Sequence, residues 1–408
     1  MDDKEGFEVA VKASRTILRV LGIWPNHHER TESWLSRSYF IMPTFILVYF
    51  TSFPQTMEII KVWGDLNSVL ELLTTFDIPN LISLIKILSV WYNKKVLGLL
   101  IMAMENDWKS LKTVFELRVM WKNVKLGRLI TLAIYLLTYS TVATYVVMAV
   151  YITANAYKQE FILTPDNSTK LRPQYMRAHF AYDVQKSPVY EIVWIFQCIA
   201  MHLAGLSFMA IDSLFSILVL HLCGQLINLQ ERLKNVTENL TKRHNLSYQL
   251  SRIVMRHEQL DRFAKAIENA FNTMFLAQIL LSGVVLCLQG YQIVIILTSR
   301  DTVQVTELLF MIYFILCIAF SLFIYCYIAE ILRTESTEIG NAAYECNWYD
   351  LPACETRLFI LTMIRSKTPF EITAGKFTAF SLQLYCSILK TSGGYLSMLL
   401  AVKERLAL

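Results

Sequence analysis

The sequence predicts an all-α membrane protein of seven transmembrane helices, with a cytosolic N-terminus, an extracellular C-terminus and a helical cytosolic region. Three observations predict it. Of 408 residues, 55% are hydrophobic and only 17% charged, too apolar for an ordinary soluble chain. The apolar residues gather into seven runs near Tyr39–Thr56, Leu66–Val90, Leu129–Ala154, Tyr190–Cys223, Phe271–Thr298, Val305–Leu332 and Phe377–Val402. The connections between the runs alternate in charge, with 27 Lys and Arg on one side and 9 on the other, which places the cation-rich side in the cytosol.

Each element follows in order. Residues 7–22 set Phe7, Val11, Ile17, Leu18 and Leu21 among Lys12, Arg15 and Arg19, the pattern of an amphipathic helix lying in the membrane interface, closed by Gly22 and Pro25. The acidic start, Met1-Asp-Asp-Lys-Glu, predicts no cleaved leader. Pro43, Pro79 and Lys86 interrupt the first two runs. The cation-rich connections hold, for example, Lys94 to Arg128 and Arg232 to Lys265. Leu226, Leu229, Leu233, Leu250, Ile253, Val254 and Leu260 recur there at three-four spacing, so the flanking runs extend as packed cytosolic helices. The seventh run is interrupted near its middle by Lys390, Thr391, Ser392, Gly393 and Gly394. Polar residues at that depth face protein or water rather than lipid.

The constellations exclude several classes. No phosphate loop, HExxH or GxSxG is present, so nothing points to an enzyme or a cofactor. The net charge of +5 needs no nucleic-acid partner, because the cations sit where membrane topology requires them. Cys346 and Cys354 share a polar connection, but the last histidine is His257, which leaves no third and fourth ligand for a metal. The eight cysteines read as reduced thiols. His202 and His221 read as bonded bundle histidines. Asp212 and Glu330, towards the cytosolic ends of their runs, are expected to be solvated or paired with loop cations; Asp77 is open to water entering a cavity. Of four N-x-Ser/Thr acceptors, Asn167 lies in an extracellular connection and is the expected glycosylation site. Asn235, Asn239 and Asn245 lie in a cytosolic one.

Four ordered motifs carry a resemblance: Tyr344–Tyr349 (aromatic, then Cys-Asn-Trp-Tyr), Arg365–Pro369 (Arg-Ser-x-x-Pro), Thr373–Phe377 (Thr-Ala-Gly-Lys-Phe) and Leu389–Ser392 (Leu-Lys-Thr-Ser). Together with Leu21-Gly-Ile-Trp-Pro25, they resemble the insect odorant receptor family. The resemblance implies a ligand-gated cation channel in the plasma membrane of a sensory neuron dendrite. Residues 1–38 would be the cytosolic N-terminus, 39–332 helices one to six with the ligand pocket, 333–376 a cytosolic anchor, and 377–408 the pore-forming seventh helix. It implies as partners a small-molecule odorant, membrane lipid, permeant cations and a shared co-receptor in a heterotetramer. The fourth connection, about 47 residues, lacks the co-receptor's long insertion, which points to the ligand-tuned subunit. The ending typical of gustatory receptors is absent, and the charge asymmetry opposes a G-protein-coupled receptor; these two stand as the alternatives.

A pocket for volatiles should be mostly apolar and aromatic. In the outer halves of spans two, three, four and six the candidates are Leu73, Thr74, Asp77, Tyr145, Met148, Trp194, Gln197, Cys198, Met201, Met311 and Phe314, each of which core packing explains equally well singly. For the pore, Gly394, Met398, Ala401 and Val402 fall on one helical face at i, i+4, i+7 and i+8. Four copies would make an apolar ring that gates by dewetting, and the same face would also serve as a helix–helix seam. The resemblance places Met398 at the hydrophobic gate, where the co-receptor has valine followed by glutamine.

Overall fold

A computed structural model describes residues 3–25, 34–111, 113–163, 172, 174–238, 246–298 and 305–406. Asn167, Asn239 and Asn245 lie outside them. The chain runs through α1 (Asp3–Val20), α2 (Trp34–Leu47), α3 (Phe53–Lys61), α4 (Leu66–Leu72), α5 (Ile78–Tyr92), α6 (Lys94–Lys109), α7 (Val114–Leu163), α8 (Val189–Glu238), α9 (Leu246–Thr298), α10 (Val305–Glu345), α11 (Ala353–Ser366) and α12 (Leu382–Leu406). A two-stranded antiparallel hairpin, β1 (Thr373–Ala374) and β2 (Thr378–Ala379), precedes α12. The first two spans are composite. A π-turn at Val48–Ser52 joins α2 to α3, and another at Leu73–Asp77 joins α4 to α5. Pro54 and Pro79 follow those turns, where a residue without an N–H is tolerated.

Among the described residues, five helical stretches are long and apolar enough to cross a membrane: Ser68–Tyr92, Val114–Tyr151, Val189–Val236, Leu246–Thr298 and Leu308–Glu345. The α2–α3 pair and α12 complete the seven. At about 1.5 Å per residue, the 50 residues of α8 and 53 of α9 far exceed the roughly 30 Å of a bilayer core, so the long helices continue beyond it. α8 is the central post: the apolar window of Val189–Val236 is 83% buried, against 17% for that of Val114–Tyr151, whose other face is left for lipid. Phe215, at 0% exposure on α8, anchors an aromatic cluster with Phe271, Phe275 and Tyr325, and Phe380 ahead of α12 meets Phe275 and Tyr325 edge-on.

The structure revises four expectations. The apolar stripe of α1 does not lie on a membrane surface. Phe7, Val11 and Leu18 are buried in the core with Trp108 of α6 and α8's Leu218 and Leu222, because the extended ends of the long helices offer a drier partner than the interface. The seventh span begins at Leu382 rather than Phe377: the Thr-Ala-Gly-Lys-Phe segment is the hairpin, which turns through Gly375 (φ 60) and Lys376 (φ 64). Lys390 to Gly394 do not break α12, which is helical throughout; both glycines keep ordinary helical backbone with open space beside them. Asp212 is neither solvated nor paired with a loop cation. It accepts from Lys86 Nζ at 2.5 Å, both side chains almost wholly buried, since a charge at that depth needs a partner at the same depth.

Candidate functional site: an apolar cavity among five helices

A cavity of about 150 Å³ lies among α5, α7, α8, α9, α10 and the π-turn before α5. The π-turn and α5 contribute Thr75, Phe76, Pro79, Asn80 and Ile82. α7 contributes one face, Ile134, Leu137, Thr138, Thr141, Val142 and Tyr145, at three-four spacing. α8 adds Met201, Ala204, Gly205 and Phe208; α9 adds Gln278, Ser282 and Val285; α10 adds Phe310, Phe314, Cys317, Ser321 and Ile324. One end is aromatic, where Tyr145 meets Phe76 edge-on at 4.9 Å between centroids and Phe310 at 6.4 Å. At the other end Phe208 separates the cavity from Lys86, whose Nζ lies 4.2 Å from the ring centroid. Lys86 also donates to Tyr325 Oη at 3.1 Å, so its charge is met by Asp212, a phenol and a ring face.

Of the sequence candidates, Tyr145, Met201 and Phe314 line this cavity. Trp194 and Cys198 pack beside it with Phe76, Tyr175 and Met176, and the Tyr145 hydroxyl donates to the Tyr175 carbonyl at 3.0 Å. Leu73 packs on the Ile78, Ile82 and Val285 cluster that also meets Phe314. Thr74 turns to α9, where its hydroxyl accepts from Gln289 at 2.9 Å and lies 3.2 Å from Gln292 Oε1. Asp77 accepts from Thr56 at 3.2 Å. Met311 and Gln197 are buried outside the lining, and Met148 is half-buried one turn beyond Tyr145. Sequence reasoning missed α9 entirely, together with the Thr138 and Thr141 pair. The signal for α9 is Gln278 and Ser282 at i, i+4 inside an apolar run, two polar groups on one helical face.

α12 has a different character. Leu382, Leu389, Tyr395 and Met398 are exposed, Met398 to 65%. Gly394 and Ala401 are exposed on the same helix, and the side chain of Val402 lies outside those described. Glu330 of α10 accepts from the Leu382 N–H at 3.3 Å, capping the α12 N-terminus. Beneath α12, the hairpin docks on α9: the Gly375 N–H donates to the Asn272 carbonyl at 2.9 Å, and the Thr373 hydroxyl to Glu268 at 2.6 Å. A Cβ at Gly375 would stand 2.6 Å from Leu276 Cδ2.

At the end of the bundle formed by α1, α6 and α11, Asp107 accepts from His221 at 3.0 Å and pairs with Arg256 at 2.7 Å. Burial alone would raise its pKa, but the hydrogen bond from His221 and the Arg256 charge hold the carboxyl below the usual range. Arg365 of the Arg-Ser-x-x-Pro segment pairs with Asp261 at 2.8 Å, and Cys346 of the Cys-Asn-Trp-Tyr segment donates to the carbonyls of Ala342 at 3.0 Å and Leu233 at 3.3 Å. These two motifs lock α10 and α11 to α8 and α9.

A helical bundle with several membrane-length apolar helices, an internal, largely apolar cavity and an exposed C-terminal helix defines a multi-pass membrane protein. The 7tm odorant receptor family model matches residues 65–393, and the chain belongs to that family. It is similar to Odorant receptor 13a of Drosophila melanogaster, 29% identical over 60% of this chain and 61% of that one, and to Odorant receptor 10 of Aedes albopictus, 24% identical over 53% and 57%. The chain thus spans between half and two thirds of the length of these relatives. The fold is that of the insect olfactory receptor OR5 from Machilis hrabei, solved in complex with eugenol, with a TM-score of 0.80, 17% identity, and coverage of 98% of this chain and 100% of that one. The protein is a multi-pass membrane protein of this receptor family and not an enzyme.

Proposed function

We propose that the chain is the ligand-tuned subunit of an odorant-gated cation channel. The observation that carries this reading is the cavity: largely apolar, aromatic at one end, and sized for a volatile rather than a peptide. That a receptor of the same fold was solved with eugenol, a small volatile, supports the same use of the cavity here. α12 supplies the second half. A helix that exposes Leu382, Leu389, Tyr395 and Met398 beside Lys390, Thr391 and two glycines suits neither lipid nor water alone. Packed around an axis with three other subunits, it would turn one side to neighbours and the face of Gly394, Met398, Ala401 and Val402 to a cation pore. The co-receptor would provide the remaining subunits, in the plasma membrane of a sensory neuron. Ligand in the cavity shifts the population of α12 positions only in so far as it binds the open arrangement more tightly.

The test is current recorded from cells expressing this chain with and without the co-receptor against an odorant panel, using wild type and Val142→Trp. Odorant-evoked cation current that needs the co-receptor and disappears when tryptophan fills the cavity is the expected result. Currents of full size from the chain alone would make it a homomeric channel, and responses carried by a G protein would make it a receptor of the other kind.

A further inference from the structure

Given the reading of the cavity as the odorant site, we infer that α9 equips it to select volatiles carrying a carbonyl group, ketones, aldehydes or esters, over hydrocarbons of the same shape. The carbonyl oxygen accepts from the Gln278 amide NH2 and the Ser282 hydroxyl. Both residues line the cavity and are almost wholly buried, at 4% and 2% exposure. Among the described residues neither donor has a hydrogen-bond partner, and neither is sealed off as the Gln278 oxygen is. The reverse setting of the amide would bury two unpaired N–H donors in place of one oxygen, so the NH2 is the side turned to the open space. Four residues apart on a helix, Gln278 and Ser282 are neighbours on one face, their Cβ atoms about 6 Å apart. One oxygen with two lone pairs can meet both.

Thr138 of α7 adds a third unpartnered hydroxyl to the wall. Elsewhere on the lining the Asn80 amide donates to Gln55 Oε1 at 3.1 Å, the Thr141 hydroxyl to the Leu137 carbonyl at 2.8 Å, the Ser321 hydroxyl to the Cys317 carbonyl at 3.0 Å, and the Tyr145 hydroxyl to the Tyr175 carbonyl. A hydrocarbon seated against α9 leaves its donors with neither ligand nor water, the loss by which a hydrogen-bonding site rejects an analogue lacking the group. Ions are disfavoured as well. None of the lining residues is charged, and Lys86 stands behind the Phe208 ring, already bound to Asp212. Position along α9 sets the pose. Gln289 bonds Thr74, two residues from the Phe76 ring that meets Tyr145, and it lies eleven residues beyond Gln278, about 16 Å along the axis. The alkyl or aryl body of the ligand therefore points to the rings, and its oxygen to Gln278 and Ser282.

The experiment measures half-maximal concentrations for two ketones, each against the alkene of the same shape, on the chain co-expressed with the co-receptor. The pairs are 2-heptanone with 2-methyl-1-heptene and acetophenone with α-methylstyrene. In wild type each ketone should act at a concentration about tenfold lower than its alkene, the scale at which one buried hydrogen bond discriminates. Gln278→Met and Ser282→Ala, close in shape but without the donors, should each weaken the ketones several-fold and leave the alkenes as they were. Equal potency within the pairs in wild type, silence of all four compounds, or equal weakening of ketone and alkene by both variants would overturn the inference. So would a larger loss of ketone potency in Thr138→Val than in either α9 variant, which would move the donor to α7. Surface labelling of each variant separates loss of the ratio from loss of the protein. Val142→Trp should silence all four probes. If it does so while the α9 variants leave the ketone preference intact, the assignment to Gln278 and Ser282 alone fails; if Val142→Trp changes nothing, the cavity is not the odorant site.

Discussion

At the scale of single residues, the fold depends on buried polar contacts that join distant parts of the chain. Lys86 and Asp212 lie 126 residues apart and meet at 2.5 Å with almost no exposure. Removing one partner leaves the other charged and buried, so Lys86→Met or Asp212→Asn should each destabilise by about 3–5 kcal/mol, whereas Lys86→Met with Asp212→Leu should recover most of that loss. Thermal unfolding of the purified protein reads this; losses that simply add in the double variant would mean the two charges do not act as a pair. Asp107 makes a pH-dependent contribution. Its carboxyl is held below the usual value in the folded state, so the stability it adds is present above the unfolded pKa, near 4, and is lost as pH falls through the lower folded pKa. Unfolding temperature should therefore drop more steeply below about pH 4 in wild type than in Asp107→Asn. Little of this is legible in the sequence. Lys86 reads there as a flaw in an apolar run, because nothing local announces a partner brought by tertiary packing.

At the scale of elements, the hairpin and the last helix act as one unit. Gly375 combines a left-handed backbone with a close approach to Leu276, and its N–H is bonded to α9. Gly375→Val should lift the hairpin, lower surface expression and release the start of α12; normal expression and normal gating together would show that the docking is dispensable. On α12, Met398→Ala should raise basal current by widening the proposed apolar ring, while Leu396→Ala, whose side chain lies against Gly290 of α9, should change it less. The reverse order of effects would assign the pore to another face. The existence and order of the long helices are legible from hydropathy alone, because burial in lipid demands it of every span. The start of α12 is not. Phe377 to Phe380 are apolar enough to read as membrane, yet a left-handed turn and a hydrogen bond from outside the segment hold the chain out of helix there. The cavity is partly legible. Tyr145, Met201 and Phe314 are residue types that suit a ligand, while α9 hides its contribution in a glutamine and a serine that resemble any bundle polar pair.

At the scale of the whole molecule, the split of 27 cations against 9 predicts that α6, α11 and the hairpin lie in the cytosol. Glycosidase should shift the mobility of wild type, and Asn167→Gln should abolish the shift; a shift lost only on changing Asn235, Asn239 or Asn245 would invert the molecule. The length of the central helices has a mechanical meaning as well. α9 touches the cavity through Gln278 and Val285, carries the hairpin through Asn272, and reaches Arg365 through Asp261, all on one unbroken rod of 53 residues. Such a rod is about 80 Å long, and a tilt of about 3° pivoting at mid-length moves each tip by about 2 Å. That is enough to change which side chains meet at a dry constriction. On the proposed reading of cavity and gate, α9 would serve between them as a lever arm. A molecule too small to push anything need only favour one inclination of a long beam, and the geometry of the beam sets the stroke.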